Sequence, residues 1–123
     1  MIDTIERMTR LEVLDLEGCG VNDLHCDLAF SFSVPSLRDL DLSNNDFSDA
    51  GVSNLLSTDL PQQLKRLILG GNDITDVGAI ALADRWPTGG GDKLEHLNLR
   101  FTHIGQAGQS ALLRRFGGRV VLF

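Results

Sequence analysis

Leucine recurs in this chain at gaps of three and then two: Leu11, Leu14 and Leu16; Leu37, Leu40 and Leu42; Leu64, Leu67 and Leu69; Leu94, Leu97 and Leu99. A helix repeats its faces every 3.6 residues and a strand every second residue, so neither period alone produces these gaps. The four segments start 26, 27 and 30 residues apart and nearly fill the 123-residue chain. Each continues with Cys19, Asn45, Asn72 or Thr102 at its ninth position and Val21, Phe47, Ile74 or Ile104 at its eleventh. A unit that returns in register constrains the fold more than any composition, because the copies must stack.

Within one unit the leucines at positions 4 and 6, such as Leu40 and Leu42, fall on one side of a short strand, and the residue between them falls on the other. The leucine at position 1 precedes the strand, where the chain turns in. The second half of each unit carries helix punctuation. Asn22, Ser48, Thr75 and Gly105 occupy the twelfth position, and all are favoured N-cap types. Asp23, Asp49 and Asp76 follow, at the positive end of the helix dipole, with Gln106 in the last copy. Gly51, Gly78 and Gly108 come next but one and are expected to permit close packing of helix on strand; His25 replaces glycine in the first copy. Leu55 and Leu56, Leu82 and Ala83, and Leu112 and Leu113 supply the helical apolar stripe. Pro35, Pro61 and Pro87, evenly spaced, bar continuation of three helices, and Gly117–Gly118 ends the fourth after Arg114 and Arg115.

The pattern resembles the leucine-rich repeat, and the glycine beyond the Asn position resembles the ribonuclease-inhibitor type of that repeat. The resemblance implies that the Asn position bonds backbone groups of the neighbouring coil, and that Cys or Thr partly replaces it. It implies an α/β fold: one right-handed curved solenoid with about five short parallel strands on the concave face and four to five helices on the convex face. Strands stack ~4.8 Å apart and helices ~8–10 Å apart, so the sheet takes the inner side of the curve. The whole chain, 1–123, is expected to form one domain. Residues 1–10 read as a capping helix with Ile5 and Met8 inward; repeats start at 11, 37, 64 and 94; residues 119–123 read as a terminal strand with Val120 and Leu122 inward.

The net charge of −6 opposes a general nucleic-acid or anionic-membrane surface. No apolar run approaches the ~18 residues of a membrane span, and the opening residues match neither a secretory signal nor a transit peptide. Two cysteines, Cys19 and Cys26, are too few for a disulfide framework, so a reducing cytoplasmic compartment is expected.

Positions 3, 5 and 7 of each repeat should line the concave face. They read Val13, Asp15 and Glu17; Asp39, Asp41 and Ser43; Arg66, Ile68 and Gly70; His96, Asn98 and Arg100; with Val121 and Phe123 from the last strand. One end is acidic. Asp15 and Asp41 should be neighbours roughly 5 Å apart, a pair that meets a basic partner, holds a divalent cation, or simply keeps the sheet solvated. The other end gathers Arg66, Ile68, Arg100, Phe101 and Phe123, types frequent at binding hot spots. Phe101 either stands exposed as an anchor or folds over the rim. The outer edge of the last strand is a place where another chain can pair.

"PTGGGDK", from Pro87 to Lys93, is an insertion expected to form a flexible rim loop; it runs from helix to strand, the reverse of a phosphate-binding loop. His25, His96 and His103 lack metal-ligand spacing with the cysteines, His25 and Cys26 are helix neighbours that do not face one another, and Ser43 lies two strands from His96. No catalytic residue and no cofactor are expected. The expected function is a non-enzymatic protein–protein interaction module. It would serve as an adaptor or subunit that binds a protein partner through Asp15, Glu17, Asp39, Asp41, Arg66, Ile68, His96, Asn98, Arg100, Phe101 and Phe123. Alternatives are a structural segment of a longer or oligomeric solenoid and a metal-dependent site at the acidic cluster.

Overall fold

The structure, a computed structural model, describes residues 12–18, 20 and 36–123. Five short strands form a single sheet: β1 (Val13–Asp15), β2 (Asp39–Asp41), β3 (Arg66–Ile68), β4 (His96–Asn98) and β5 (Val120–Val121). All four pairings are parallel and the spatial order follows the chain, β1-β2-β3-β4-β5. Three α-helices lie among the described residues: α1 (Asp49–Leu56), α2 (Asp76–Arg85) and α3 (Gln106–Phe116). Each fills the connection from one strand to the next, which parallel strands require. The result is an α/β solenoid with fewer described helices than the four to five expected. The expected capping helix over residues 1–10, the helix after Asn22, and the ladder residue Cys19 lie outside the described residues.

Register follows the leucine grid. Leu14, Leu40, Leu67, Leu97 and Val120 pair in one row across the sheet. Leu40, Leu42, Leu67, Leu69, Leu97 and Leu99 are buried, together with Phe47, Ile74, Leu55, Leu82, Leu112 and Phe116, so the core runs continuously between the sheet and the helical layer. Each fully buried aliphatic side chain contributes about 1.5–3 kcal/mol relative to exposure. Leu113 departs from the expected stripe: it is 52% exposed while its neighbour Leu112 is buried. An α-helix turns 100° per residue, so only one of two adjacent leucines here faces the sheet.

The Asn position knits successive coils. Asn72, only 4% exposed, donates through Nδ2 to the carbonyls of Leu42, Leu69 and Gly70 and accepts at Oδ1 from the N–H groups of Asn45 and Phe47. Asn45 repeats the donation to Leu16, Leu42 and Ser43. Thr102 keeps one such bond, its hydroxyl donating to Leu99. Side-chain amides thus satisfy carbonyls that the short strands leave behind, in a place where unpaired polar groups would be costly.

Ser48, Thr75 and Gly105 are the N-caps of α1, α2 and α3. Asp49 and Asp76 sit in the first turns, as expected, but their carboxylates reach the following helix. Asp49 Oδ1 accepts from the N–H groups of Thr75 (2.9 Å) and Gly78 (3.0 Å), and Oδ2 accepts from the Thr75 hydroxyl. Asp76 Oδ1 accepts from Gly105 (2.6 Å) and Gly108 (3.2 Å). This corrects the reading of the helical glycines. A Cβ on Gly78 would stand 2.4 Å from Asp49 Oδ1, and one on Gly108 2.6 Å from Asp76 Oδ1. Gly78 and Gly108 admit the carboxylate of the preceding repeat, and the nearest other side chains, Ile74 at Gly78 and Ile104 and Ala79 at Gly108, are not strand residues.

The 87–93 insertion is likewise more than a flexible rim loop. A 3₁₀ turn at Gly89–Gly91 delivers Asp92, whose Oδ2 pairs with Arg115 and Arg119, each at 3.1 Å. Arg115 also donates to the carbonyls of Trp86 and Pro87, and Arg119 to that of Leu94. Both guanidiniums lie over the Phe116 ring, 5.1 and 5.3 Å from its centre, and Phe116 meets Trp86 edge-on at 6.2 Å. Burial works to raise the Asp92 carboxyl pKa, but hydrogen bonds from Arg115, Arg119 and the Leu94 N–H, with the charge of Arg119, hold it below the ordinary value.

Candidate protein-binding face

Strand alternation turns two rows of side chains away from the core. One row is Val13, Asp39, Arg66 and His96; the other is Asp15, Asp41, Ile68, Asn98 and Val121. The structure therefore brings together, on one sheet face, the residues expected there. Val13, Asp15 and Arg66 are exposed, and Asp39, Asp41, Ile68, His96, Asn98 and Val121 are half-buried. Position 7 adds exposed Glu17 and Arg100, but Ser43 is buried and Gly70 has no side chain. A Cβ at Gly70 would lie 2.9 Å from the Arg100 carbonyl, so glycine allows the next coil to close in.

The acidic end has a local structural task that the spacing did not reveal. Asp15 Oδ1 accepts from the Glu17 N–H, Asp41 Oδ1 from the Ser43 N–H, and Asn98 Oδ1 from the Arg100 N–H, all at 2.9–3.0 Å. Position 5 thus closes an Asx turn where the chain leaves β1, β2 and β4; Ile68 of β3 has no such acceptor. The Ser43 hydroxyl bonds Asp41 at 2.6 Å and Glu17 at 3.0 Å. Asp39 forms a loose ion pair with Arg66 at 3.8 Å, worth ~0–1 kcal/mol at such exposure. Among the described residues, no group of three or more His, Cys, Asp and Glu side chains is placed to hold a metal ion. These carboxylates close turns and balance one cation.

At the opposite end Phe101 is 78% exposed and Phe123 82% exposed. Phe101 does not fold over the rim to cover the core. Arg100 lies above its ring, 5.1 Å from the centre, in cation–π contact. An open cleft beside it is lined by Leu99, Phe101, Ile104, Leu122 and Phe123, with Thr102 and Gln109. His103, on the other side of Phe101, lies 3.4 Å from Asp73.

Stacked parallel strands, a strand–helix unit repeated in register and an Asn ladder between coils are the geometry of one repeat family. A family profile described as Leucine Rich repeat matches residues 35–56, 62–83 and 93–113. The chain belongs to the leucine-rich-repeat family. The matched segments span β2–α1, β3–α2 and β4–α3, the three strand–helix units of the described structure. Leucine-rich-repeat domains generally mediate protein–protein interaction and are typically non-enzymatic. No match was found among curated proteins.

Proposed function

We propose that this leucine-rich-repeat chain is an adaptor or subunit that holds a protein partner on its concave face, with repeats of the ribonuclease-inhibitor type and residues 1–123 acting as one domain. The observation that carries the reading is the mixed chemistry of the two outward rows. Val13, Ile68 and Val121 alternate with Asp15, Asp39, Asp41, Arg66, His96 and Asn98 on a face whose backbone is fixed by the coils beneath. Fixed apolar patches ringed by charge are what an interface core and rim require, and a rigid sheet loses little conformational entropy on binding. Glu17 extends the acidic end, and Arg100, Phe101 and Phe123 extend the other. The passage from strand to α-helix in each described repeat, with glycine in the helical first turn, supports the repeat type. A reducing cytoplasmic setting accords with the two-cysteine composition and is checked by microscopy of a fluorescent fusion.

The test joins Asp39→Lys to Asp41→Asn. The asparagine keeps the turn acceptor that Asn98 supplies in β4, while the pair removes two negative charges and adds one positive. Capture of cross-linked partners from cell extract should be lost and far-UV circular dichroism unchanged. Capture retained with the fold intact refutes the concave-face reading.

A second reading, contact of the β5 edge with another chain or coil, draws on the exposure of Phe123 beside that edge. It predicts self-association that Phe123→Asp removes; a chain that stays monomeric in sedimentation at high concentration counts against it.

A further inference from the structure

Position 8 of every repeat leaves the strand through the left-handed region: Gly18 has φ +65°, Asn44 +55°, Gly71 +71° and Phe101 +59°. Where the next coil follows, the N–H of this residue donates to the position-7 carbonyl of that coil: Gly18 to Ser43, Asn44 to Gly70 and Gly71 to Arg100. The conformation is therefore set by stacking. Glycine and asparagine adopt it readily; a bulky aromatic residue does so only under steric strain. Phe101 bears that strain without burying its ring, so its presence is not explained by the core. Strain held at an exposed side chain marks a position selected for contact.

Two further observations give the contact its chemistry. The Arg100 guanidinium lies over the Phe101 ring and, among the described residues, has no carboxylate partner. On the side away from His103 and Asp73, the cleft between Phe101 and Phe123 presents Leu99, Ile104 and Leu122 with the uncharged Thr102 and Gln109, and no charged lining residue. An unpaired cation at the lip of a mainly apolar, uncharged cleft complements an apolar side chain that has a carboxylate next to it. Resting on the reading of the chain as a protein-binding module, we propose that Phe101 and Arg100 form an anchor point for a partner segment that carries an aliphatic or aromatic residue adjacent to Asp or Glu.

The probes are two sets of short fluorescent synthetic peptides with Leu, Phe or Trp beside either Glu or Lys, read by anisotropy. The parent should bind the Glu set more tightly, with the preference shrinking as salt rises. Phe101→Gly should weaken binding by about tenfold or more while Tm stays level or rises, because glycine relieves the backbone strain. Arg100→Gln should erase the Glu-over-Lys preference and leave the apolar contribution. Equal binding by the parent and Phe101→Gly overturns the proposal, as does failure of both peptide sets to bind. A fall in Tm for both Phe101→Gly and Phe101→Asn also overturns it, because the ring would then be holding the fold. If these results fail while Asp39→Lys/Asp41→Asn abolishes partner capture, the module reading stands and the anchor assignment falls.

Discussion

The carboxylate of Asp49 belongs energetically to the repeat after its own, and Asp49→Ala measures by how much. Its Oδ1 takes two backbone N–H groups from the first turn of α2, and its Oδ2 takes the Thr75 hydroxyl. Hydrogen bonds to a charged acceptor contribute ~1.5–3 kcal/mol each in net terms. The site is half-buried, so water recovers part of that loss; a total of about 2 kcal/mol is expected. For a chain of this size, that lowers Tm by about 6–12 °C. Loss of the ordinary cap, Ser48→Ala, removes the acceptor of the 3.3 Å bond from the Ala50 N–H and should cost about 0.5–1 kcal/mol. Urea unfolding followed by circular dichroism compares the two. A double-mutant cycle with Gly78→Ala then isolates the contact. In the parent, the added methyl meets Asp49 Oδ1 at 2.4 Å, so Gly78→Ala should destabilise. In the Asp49→Ala background that obstacle is gone and the Ile74 methyl at 2.9 Å remains; with the higher helix propensity of alanine, the cost of Gly78→Ala should be clearly smaller than in the parent. If Asp49→Ala costs no more than Ser48→Ala, or if the cycle shows no coupling, the reasoning that acid and glycine form an inter-coil pair is refuted.

Three other perturbations follow from the same geometry. Asn72→Ala removes five hydrogen bonds inside the stack, although the Leu42 and Gly70 carbonyls keep donors in Asn45 and Asn44; a loss of about 3 kcal/mol is expected by urea unfolding, whereas Thr102→Ala, which removes one bond, should cost about 1 kcal/mol. Asp92→Asn should lower stability at neutral pH. Because the folded-state pKa of Asp92 lies below its unfolded value of about 3.9, its contribution is complete above that value and disappears as pH falls through the folded pKa. The gap between parent and Asp92→Asn should therefore close in strongly acidic buffer, and a gap that persists there would contradict the assignment. Leu112→Ala, in the core, should cost about 2–5 kcal/mol, while Leu113→Ala, half exposed, should cost well under half of that in the same assay.

The strand grid was legible because a leucine at position 4 or 6 has only one side of a pleated strand to occupy, and the Asn ladder was implied by the family pattern. The concave rows followed from the same alternation. What could not be read was contact between coils. Asp49 finds its partners 26 and 29 residues onward, a separation that becomes a contact only once the rise per coil is known. Asp92 pairs with Arg115 and Arg119, so the loop's attachment depends on where α3 ends relative to an insertion of irregular length. The Asx turns of Asp15 and Asp41 were hidden for another reason: an acid on an exposed strand reads as surface charge until its short reach to position 7 is seen. The strain at Phe101 did leave a trace, since Gly18, Asn44 and Gly71 at the equivalent positions are residues that tolerate positive φ.

The central claim is that each coil hands its strand hydrogen bonds to the next in a fixed parallel register. Scalar couplings across hydrogen bonds, measured by NMR on isotope-labelled protein, test it without a mutation. Couplings are expected from the Leu42 N–H to the Ile68 carbonyl, from Leu69 to Asn98 and from Leu99 to Val121, the pairs that stand 2.8–2.9 Å apart. Coupling of these amides to residues in an antiparallel or shifted register would contradict the account.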